Sequence, residues 1–277
     1  MNKLLSANFM RLKQSKAFWI CAVSTLLISA GMMGWFSALA RELAQRGYVK
    51  PLDAYFFQLA PYTGAVGAIF ISLFLGAEYS DGTIRNKLIV GHTRVNLYLA
   101  NFLTCLAGGM FITALWFLGG LPGVFLIGSF EMAASEVAAY FFVALGFTAV
   151  FTAIYVLISS LSGNKAVTVV LVMVIWVALS LMGSAVYDRL HEPEFNGGLA
   201  FINGEFVMME DTPNPMYLTG SVRTAVELLY RILPTGQAIA MTSAEITTPG
   251  LDLAISLAVS IVITVIGMVL FHRKDLK

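Results

Sequence analysis

The amino-acid sequence predicts an all-α integral membrane protein with six transmembrane helices, from its composition and from six long apolar segments. Hydrophobic residues make up 58% of the 277 residues and charged residues 12%, whereas soluble domains average about 45–50% and about 25%. The mean hydropathy is +0.80. A soluble domain cannot cover so much apolar surface with so few charges. The composition therefore excludes a soluble enzyme, a nucleic-acid-binding protein and a disordered chain.

Each of the six segments is long enough to cross a membrane as a helix, which takes roughly 20 mainly apolar residues. Asp252 is at the start of the sixth, where it can reach the membrane interface. An even number of spans places both termini on the same side of the membrane. The segments contain no lysine or arginine and cover residues 17–40, 59–77, 95–118, 137–161, 166–187 and 251–271.

The distribution of positive charge predicts which side carries the termini. Eleven of the 17 lysines and arginines fall in the termini and in the loops 78–94 and 162–165, on one side of the membrane. By the positive-inside rule, both termini are expected in the cytoplasm. The short loops favour the plasma membrane of a prokaryote. The eleven residues are Lys3, Arg11, Lys13, Lys16, Arg85, Lys87, Arg94, Lys165, Arg273, Lys274 and Lys277.

Residues 1–16, before the first span, predict an amphipathic elbow helix that lies on the membrane. Leu5, Phe9 and Leu12 share one face of this helix, and basic residues lie off it. A basic flank that only orients the first span is an equally good interpretation. If the helix forms, it is placed to contact a cytoplasmic partner.

The longest loop, residues 188–250, separates the fifth and sixth spans on the outer side. Its first half is rich in turn-forming residues, among them Asn196-Gly197-Gly198 and Asn203-Gly204. Its second half predicts an amphipathic helix on or in the outer leaflet, which Pro234 and Gly236 should end or bend. The apolar face has Val222, Val226, Leu229 and Leu233, and the charged face has Arg223, Glu227 and Arg231 at i, i+4 and i+8.

The segment 78–94, after the second span, predicts a short capped helix. Ser80 or Asp81 can accept a backbone N–H at its start, and Gly91 is placed to end it. Two cations in its C-terminal half complement the helix dipole. The cations are Arg85 and Lys87, and the apolar face has Ile84 and Leu88.

This segment resembles the stretch between the second and third spans in permeases of ATP-binding cassette (ABC) exporters of the ABC-2 type. The resemblance extends over most of the chain: an N-terminal amphipathic helix, six spans, both ends inside and a long outer loop. The sequence Leu-Pro-Thr-Gly-Gln at 233–237 is also similar to a stretch that such permeases often have before the last span. The motif residues are Glu78, Gly82, Thr83, Ile84, Arg85, Leu88, Gly91, Thr93 and Arg94.

The resemblance implies that residues 81–91 form the coupling helix, which sits in a groove of a separate ATPase subunit and transmits ATP-driven closure. Glu78 is then expected to pair with Arg85 or Arg94 across the ends of the second and third spans. An ordinary interfacial loop with solvated charges is the alternative. The implied coupling residues are Glu78, Asp81, Gly82, Thr83, Ile84, Arg85, Leu88, Gly91 and Arg94.

The resemblance also implies a translocation route along the second and fifth spans and an outer gate or lid. Bulky apolar residues on the route would suit an amphipathic substrate, although such side chains more often pack against neighbouring helices or lipid. One chain supplies six spans and such exporters use twelve, so a second copy or a similar permease is expected. The route residues are Phe70, Phe74, Met173 and Trp176, and the gate residues are Leu233, Pro234, Gly236 and Gln237.

Several motifs of other protein classes are missing from the sequence. No Gly-x-x-x-x-Gly-Lys-[Ser/Thr] phosphate loop occurs, so the chain is expected to bind no cofactor, with ATP and Mg²⁺ held by the ATPase subunit. The three histidines lie outside the spans, which argues against a membrane metalloenzyme. The spans lack the central ionisable side chains that ion-coupled carriers usually keep.

The sequence therefore predicts a non-enzymatic permease subunit of an ATP-driven exporter. Its substrate is expected to be amphipathic, lipid-like, a peptide or drug-like. Its expected partners are the ATPase subunit, the second permease and membrane lipid, with no nucleic acid. Residues 1–277 are expected to form one membrane domain. The alternatives are an ATPase-free assembly or sensor component and an ion-coupled carrier or channel.

Overall fold

A computed structural model describes residues 1–202 and 205–274 of the chain and confirms the predicted class of helical membrane protein. Six of its helices are long and apolar enough to cross a membrane, at the six predicted places. These helices comprise α2 (Lys16–Gln45), α4 (Thr63–Ser80), α6 (Arg94–Gly120), α8 (Ala134–Leu161), α9 (Lys165–Leu190) and α12 (Pro249–Arg273).

Short helices extend two of the spans at the ends that lie away from the termini. Helix α3 (Asp53–Phe56) and a 3₁₀ helix (Phe57–Tyr62) lead directly into α4, so the second span begins earlier than predicted. Helix α7 (Gly123–Leu126) follows α6 after a short break at Leu121 and Pro122. We refer to the side of the bundle with α1, α5 and the end of α12 as the terminal face, and to the opposite side as the distal face.

Helix α8 lies at the centre of the bundle and packs against α4, α6 and α12. Helix α2 packs mainly against α6, and α9 packs mainly against α4. Small side chains permit close approach: Gly109 of α6 faces Thr148 and Thr152 of α8. The hydroxyls of Thr113 and Thr148 are 2.9 Å apart across the same interface. The central helix is therefore the most buried span, whereas α9 and α12 are left largely exposed at the surface of the bundle.

The N-terminal helix, α1 (Asn2–Gln14), packs against α6. Its buried face consists of Leu4, Asn8 and Leu12, whereas Phe9 is exposed. The predicted apolar face was therefore wrong at Phe9, because the inward residues follow an i, i+4, i+8 row that includes a polar asparagine. The position of α1 on a membrane surface stays a prediction.

The segment between α9 and α12 contains elements that the sequence did not predict. Strands β1 (Phe195–Ile202) and β2 (Glu205–Pro213) pair as an antiparallel hairpin where only turns were expected. The predicted Asn203-Gly204 turn lies outside the described residues. Two helices follow, α10 (Gly220–Ile232) and α11 (Pro234–Thr242).

Helix α10 is the amphipathic helix predicted before the last span. Its side chains Arg223 and Glu227 form the expected i, i+4 pair, with Nε and Oε1 3.0 Å apart. Arg231 pairs instead with Asp252 of α12, at 3.0 Å between NH1 and Oδ1. Leu233, predicted on the apolar face, lies beyond the end of the helix and is buried. Contact of α10 with an outer leaflet stays a prediction.

Candidate functional site

The segment after α4 folds into a short helix, α5 (Thr83–Ile89), on the terminal face. Gly82 precedes it with φ +66°, and Gly91 follows it with φ +96°. Glycine adopts this left-handed conformation without steric cost, so the two residues turn the chain sharply at both ends of α5. The helix is shorter than the predicted 81–91.

The predicted side-chain cap of α5 is wrong, because the residue before the helix is Gly82 and no side chain caps it. Ser80 is the last residue of α4, and its Oγ accepts the backbone N–H of Lys165 at 3.0 Å. Asp81 follows α4 and is exposed. Thr83 donates its hydroxyl to the carbonyl of Glu78 at 3.0 Å. The polar side chains here therefore fasten α5 to α4 and α9 to α4.

Glu78, near the end of α4, is the centre of the site, and its side chain is completely buried. Lys87 of α5 donates to its Oε1, and NH1 of Arg11 in α1 is 2.5 Å from its Oε2. The predicted partners Arg85 and Arg94 are therefore wrong. Lys87 lies on the inward side of α5, whereas Arg85 is exposed to solvent.

Two asparagines extend these contacts through α1 to α6. Lys87 Nζ also donates to Oδ1 of Asn8 at 2.9 Å, and Nδ2 of Asn8 donates to Oδ1 of Asn101 in α6 at 2.8 Å. We refer to Asn8, Arg11, Glu78, Lys87 and Asn101 as the Glu78 network. Charge-assisted hydrogen bonds are strong where water is excluded. The network therefore joins α5 firmly to α1, α4 and α6.

The opposite side of α5 and its C-terminal end face solvent. Ile89 is 81% exposed and Val90 is 77% exposed, and Arg85 and Asn86 beside them are exposed as well. We refer to these four residues as the α5 tip. Adjacent exposed apolar side chains are typical of a contact with a protein or a membrane. Ile89 and Val90 were not predicted from the sequence, although Ile84 and Leu88 already fill the inward face of so short a helix.

The inward face of α5 has the two predicted apolar residues. Ile84 is buried in the main core, and Leu88 packs against it. Gly91 is exposed, with open space around its α-carbon. The predicted coupling residues therefore divide into an inward group that fixes the helix and an outward group at the surface.

Arg94, at the start of α6, binds the end of α12 rather than Glu78. Its NH1 donates to the carbonyls of His272, at 3.3 Å, and of Lys274. Lys274 in turn donates to the carbonyls of Ser160 and Ser162 at 3.0 and 3.1 Å, and burial lowers the pKa of its ammonium group. These cations satisfy carbonyls that the ends of α8 and α12 leave unpaired. The terminal ends of α6, α8 and α12 are thus held together.

The four predicted route residues do not lie on one surface. Phe70 and Phe74 are buried towards α1, α2 and α6: Phe70 packs on Phe18, and the Arg11 guanidinium lies 4.1 Å above the Phe74 ring. Met173 and Trp176 are half-buried on α9, and Trp176 Nε1 donates to the carbonyl of Pro61 at 3.4 Å. Their role in a translocation route stays a prediction.

The four predicted gate residues form a packed junction on the distal face. Leu233, Pro234, Gly236 and Gln237 are all buried at the start of α11. Gln237 donates to the carbonyls of Arg231 and Asp252 at 2.6 and 3.2 Å. The side-chain oxygen Oε1 of Gln237 accepts a hydrogen bond from the Ser256 hydroxyl at 2.9 Å. The junction therefore ties α10, α11 and α12 together, and its role as a gate stays a prediction.

Within residues 1–202 and 205–274, no group of three His, Cys, Asp or Glu side chains is arranged to hold a metal ion.

The family comparison agrees with the resemblance seen in the sequence. A family model described as ABC-2 family transporter protein matches residues 4–179, which is well over half of the chain and includes the Glu78 network and α5. No curated protein matches the chain. The chain therefore belongs to the ABC-2 family of transporter membrane proteins.

Proposed function

We propose that the chain is the permease subunit of an ATP-driven exporter and that a separate ATPase subunit docks on the α5 tip. The observation that carries this proposal is the two-sided construction of α5. Its outer side presents Ile89, Val90 and Arg85 to a partner, and its inner side is fixed by the Glu78 network. A displacement of α5 is therefore passed to α1, α4 and α6.

The proposed cycle begins when the ATPase subunits bind ATP and Mg²⁺ and close, which moves α5. Two permease chains, either two copies or this chain and a similar one, supply twelve spans. The proposed substrate is amphipathic, lipid-like, a peptide or drug-like. The proposed location is the plasma membrane of a prokaryote, with the terminal face in the cytoplasm, because most lysines and arginines lie there.

The first test is the recovery of an ATPase with the tagged protein from native membranes. We expect a near-stoichiometric ABC ATPase with the wild-type chain. The double substitution Ile89→Asp and Val90→Asp should reduce that recovery and substrate export at least tenfold. Two apolar side chains that the docked ATPase would bury would each be replaced by a charged group without a partner. Recovery of the wild type without an ATPase, under conditions that keep other ABC complexes intact, would point to an ATPase-free membrane component.

Two matched variants control for general damage. Ile89→Val combined with Val90→Ile keeps the apolar character of the tip and should retain the ATPase.

A charge reversal tests the polar part of the tip. Arg85→Glu reverses a charge at the tip and should weaken ATPase binding. Lys13→Glu reverses an exposed charge on α1 of the same face and should not. The docking site would be refuted if Arg85→Glu and the double aspartate variant both recovered as much ATPase as the wild type.

A further inference from the structure

The structure contains an apolar cavity of about 370 Å³ between α2, the 3₁₀–α4 segment and α6. Ile28 and Met32 line it from α2, Leu59 and Val66 from the second span, and Trp116 from α6. The wall formed by α6 is fixed to α2, because the Ser29 hydroxyl donates to the Trp116 carbonyl at 2.8 Å. The cavity therefore lies between α2 and the second span, with α6 as its fixed wall.

The chemistry of the lining selects an apolar ligand. Tyr62, Thr25 and Thr63 contribute hydroxyls, and those of the two threonines are used inside their own segments. Thr25 donates to the carbonyl of Cys21 at 2.7 Å, and Thr63 donates to that of Ala60 at 2.7 Å. The surface offered to a ligand is therefore mainly hydrocarbon and aromatic ring.

The cavity lies in the half of the membrane away from the termini. At 1.5 Å per residue, Thr25 is about 14 Å and Met32 about 24 Å from the start of α2 at Lys16. The hydrocarbon core is about 30 Å thick. With Lys16 at the edge of that core, the lining from Thr25 to Met32 spans about 10 Å and lies in the distal half of the membrane.

The cavity opens onto an exposed apolar surface of the bundle. Ile28 at its rim is 54% exposed and belongs to the same exposed side of α2 as Leu27 and Val23. The cavity is thus continuous with this exposed apolar surface of α2. A single alkyl chain is narrower than a helix and can enter from the side.

We propose that this cavity binds one acyl chain of a membrane phospholipid from the distal leaflet. An empty cavity would forfeit dispersion contacts along its whole lining, and an acyl chain restores them. The bound acyl chain then forms part of the packing between α2 and the second span. The site is separate from the α5 tip and does not depend on the ATPase.

The test is native mass spectrometry of the full-length protein, extracted from membranes in a mild detergent. The substitution Val66→Trp fills the cavity from a half-buried position. Val262→Trp adds the same ring at a 57% exposed position on α12 and serves as the matched control. We expect wild type and Val262→Trp to retain a phospholipid adduct and Val66→Trp to lose at least nine-tenths of it.

A second variant guards against misfolding of the first. Ile28→Trp places the ring at the exposed mouth of the cavity and should reduce the adduct at an unchanged melting temperature. Absence of a phospholipid adduct from the wild type, or full retention by folded Val66→Trp and Ile28→Trp, would overturn the proposal. So would an adduct of another chemical class that only these two variants lose. ATPase recovery should be unchanged in all three variants, which separates this result from the docking test.

Discussion

Replacement of Glu78 by glutamine is expected to lower the free energy of unfolding by about 3 kcal/mol, because it leaves the partly buried cations Lys87 and Arg11 without their counter-charge. The Glu78 carboxylate is completely buried and contacts both Lys87 and Arg11. Glutamine has nearly the same shape, so the loss reports the charge rather than the packing. The measurement is the thermal unfolding of the purified protein in detergent.

The matched control is Glu227→Gln, which breaks the exposed pair with Arg223 on α10. Exposed i, i+4 pairs contribute about 0.3–0.5 kcal/mol, so this variant should melt close to the wild type. Adding Lys87→Met to Glu78→Gln removes one unpaired cation and should recover part of the loss, as a double-mutant cycle would show. Equal melting temperatures for Glu78→Gln and Glu227→Gln would contradict the buried network.

Replacement of Gly236 by alanine is expected to disrupt the distal junction. A Cβ at this position would lie 2.1 Å from the carbonyl oxygen of Tyr230, which is a backbone atom near the end of α10. The backbone cannot yield locally, because the neighbouring Gln237 holds α10 and α12 in place. Overpacking typically costs about 1–3 kcal/mol and more against a rigid partner. We expect a large drop in melting temperature and in the yield of monodisperse protein.

Gly250→Ala provides the control within the same region. Gly250 lies in the first turn of α12, and a Cβ there would meet no atom within 4 Å. Alanine loses less conformational entropy on folding than glycine, so this variant should equal or exceed the wild type in stability by up to about 1 kcal/mol. If Gly236→Ala behaved in the same way, the packed junction described for α11 would be incorrect.

The six spans could be predicted from the sequence because hydropathy and helix length suffice to identify them in a membrane. The partner of Glu78 could not, since it depends on where α5 begins. The helix begins at Thr83, after the turn at Gly82, and this start directs Lys87 inward and Arg85 outward. A start at Ser80 or Asp81 would have been compatible with the same sequence. Arg11 arrives from α1 only through tertiary packing.

The hairpin was missed for a related reason. Asn196, Gly197 and Gly198 were interpreted as a turn, yet they lie within β1. The pairing of β1 with β2 shifts register between Asn196 and Gly198, which is the kind of irregularity that glycine permits inside a strand. The cross-strand pairing of β1 with β2 decided the structure here, whereas the turn propensity of single residues decided the prediction.

The contacts of Arg94 and Lys274 have a consequence for biosynthesis. A ribosome delivers the helices in order, so α6 and α8 enter the membrane well before α12 exists. Until the last helix arrives, Arg94 lacks its carbonyl acceptors, and the carbonyls of Ser160 and Ser162 lack the Lys274 donor. The central helix α8 also lacks its α12 partner. An unfinished chain therefore exposes polar groups at the terminal face that the complete chain has covered.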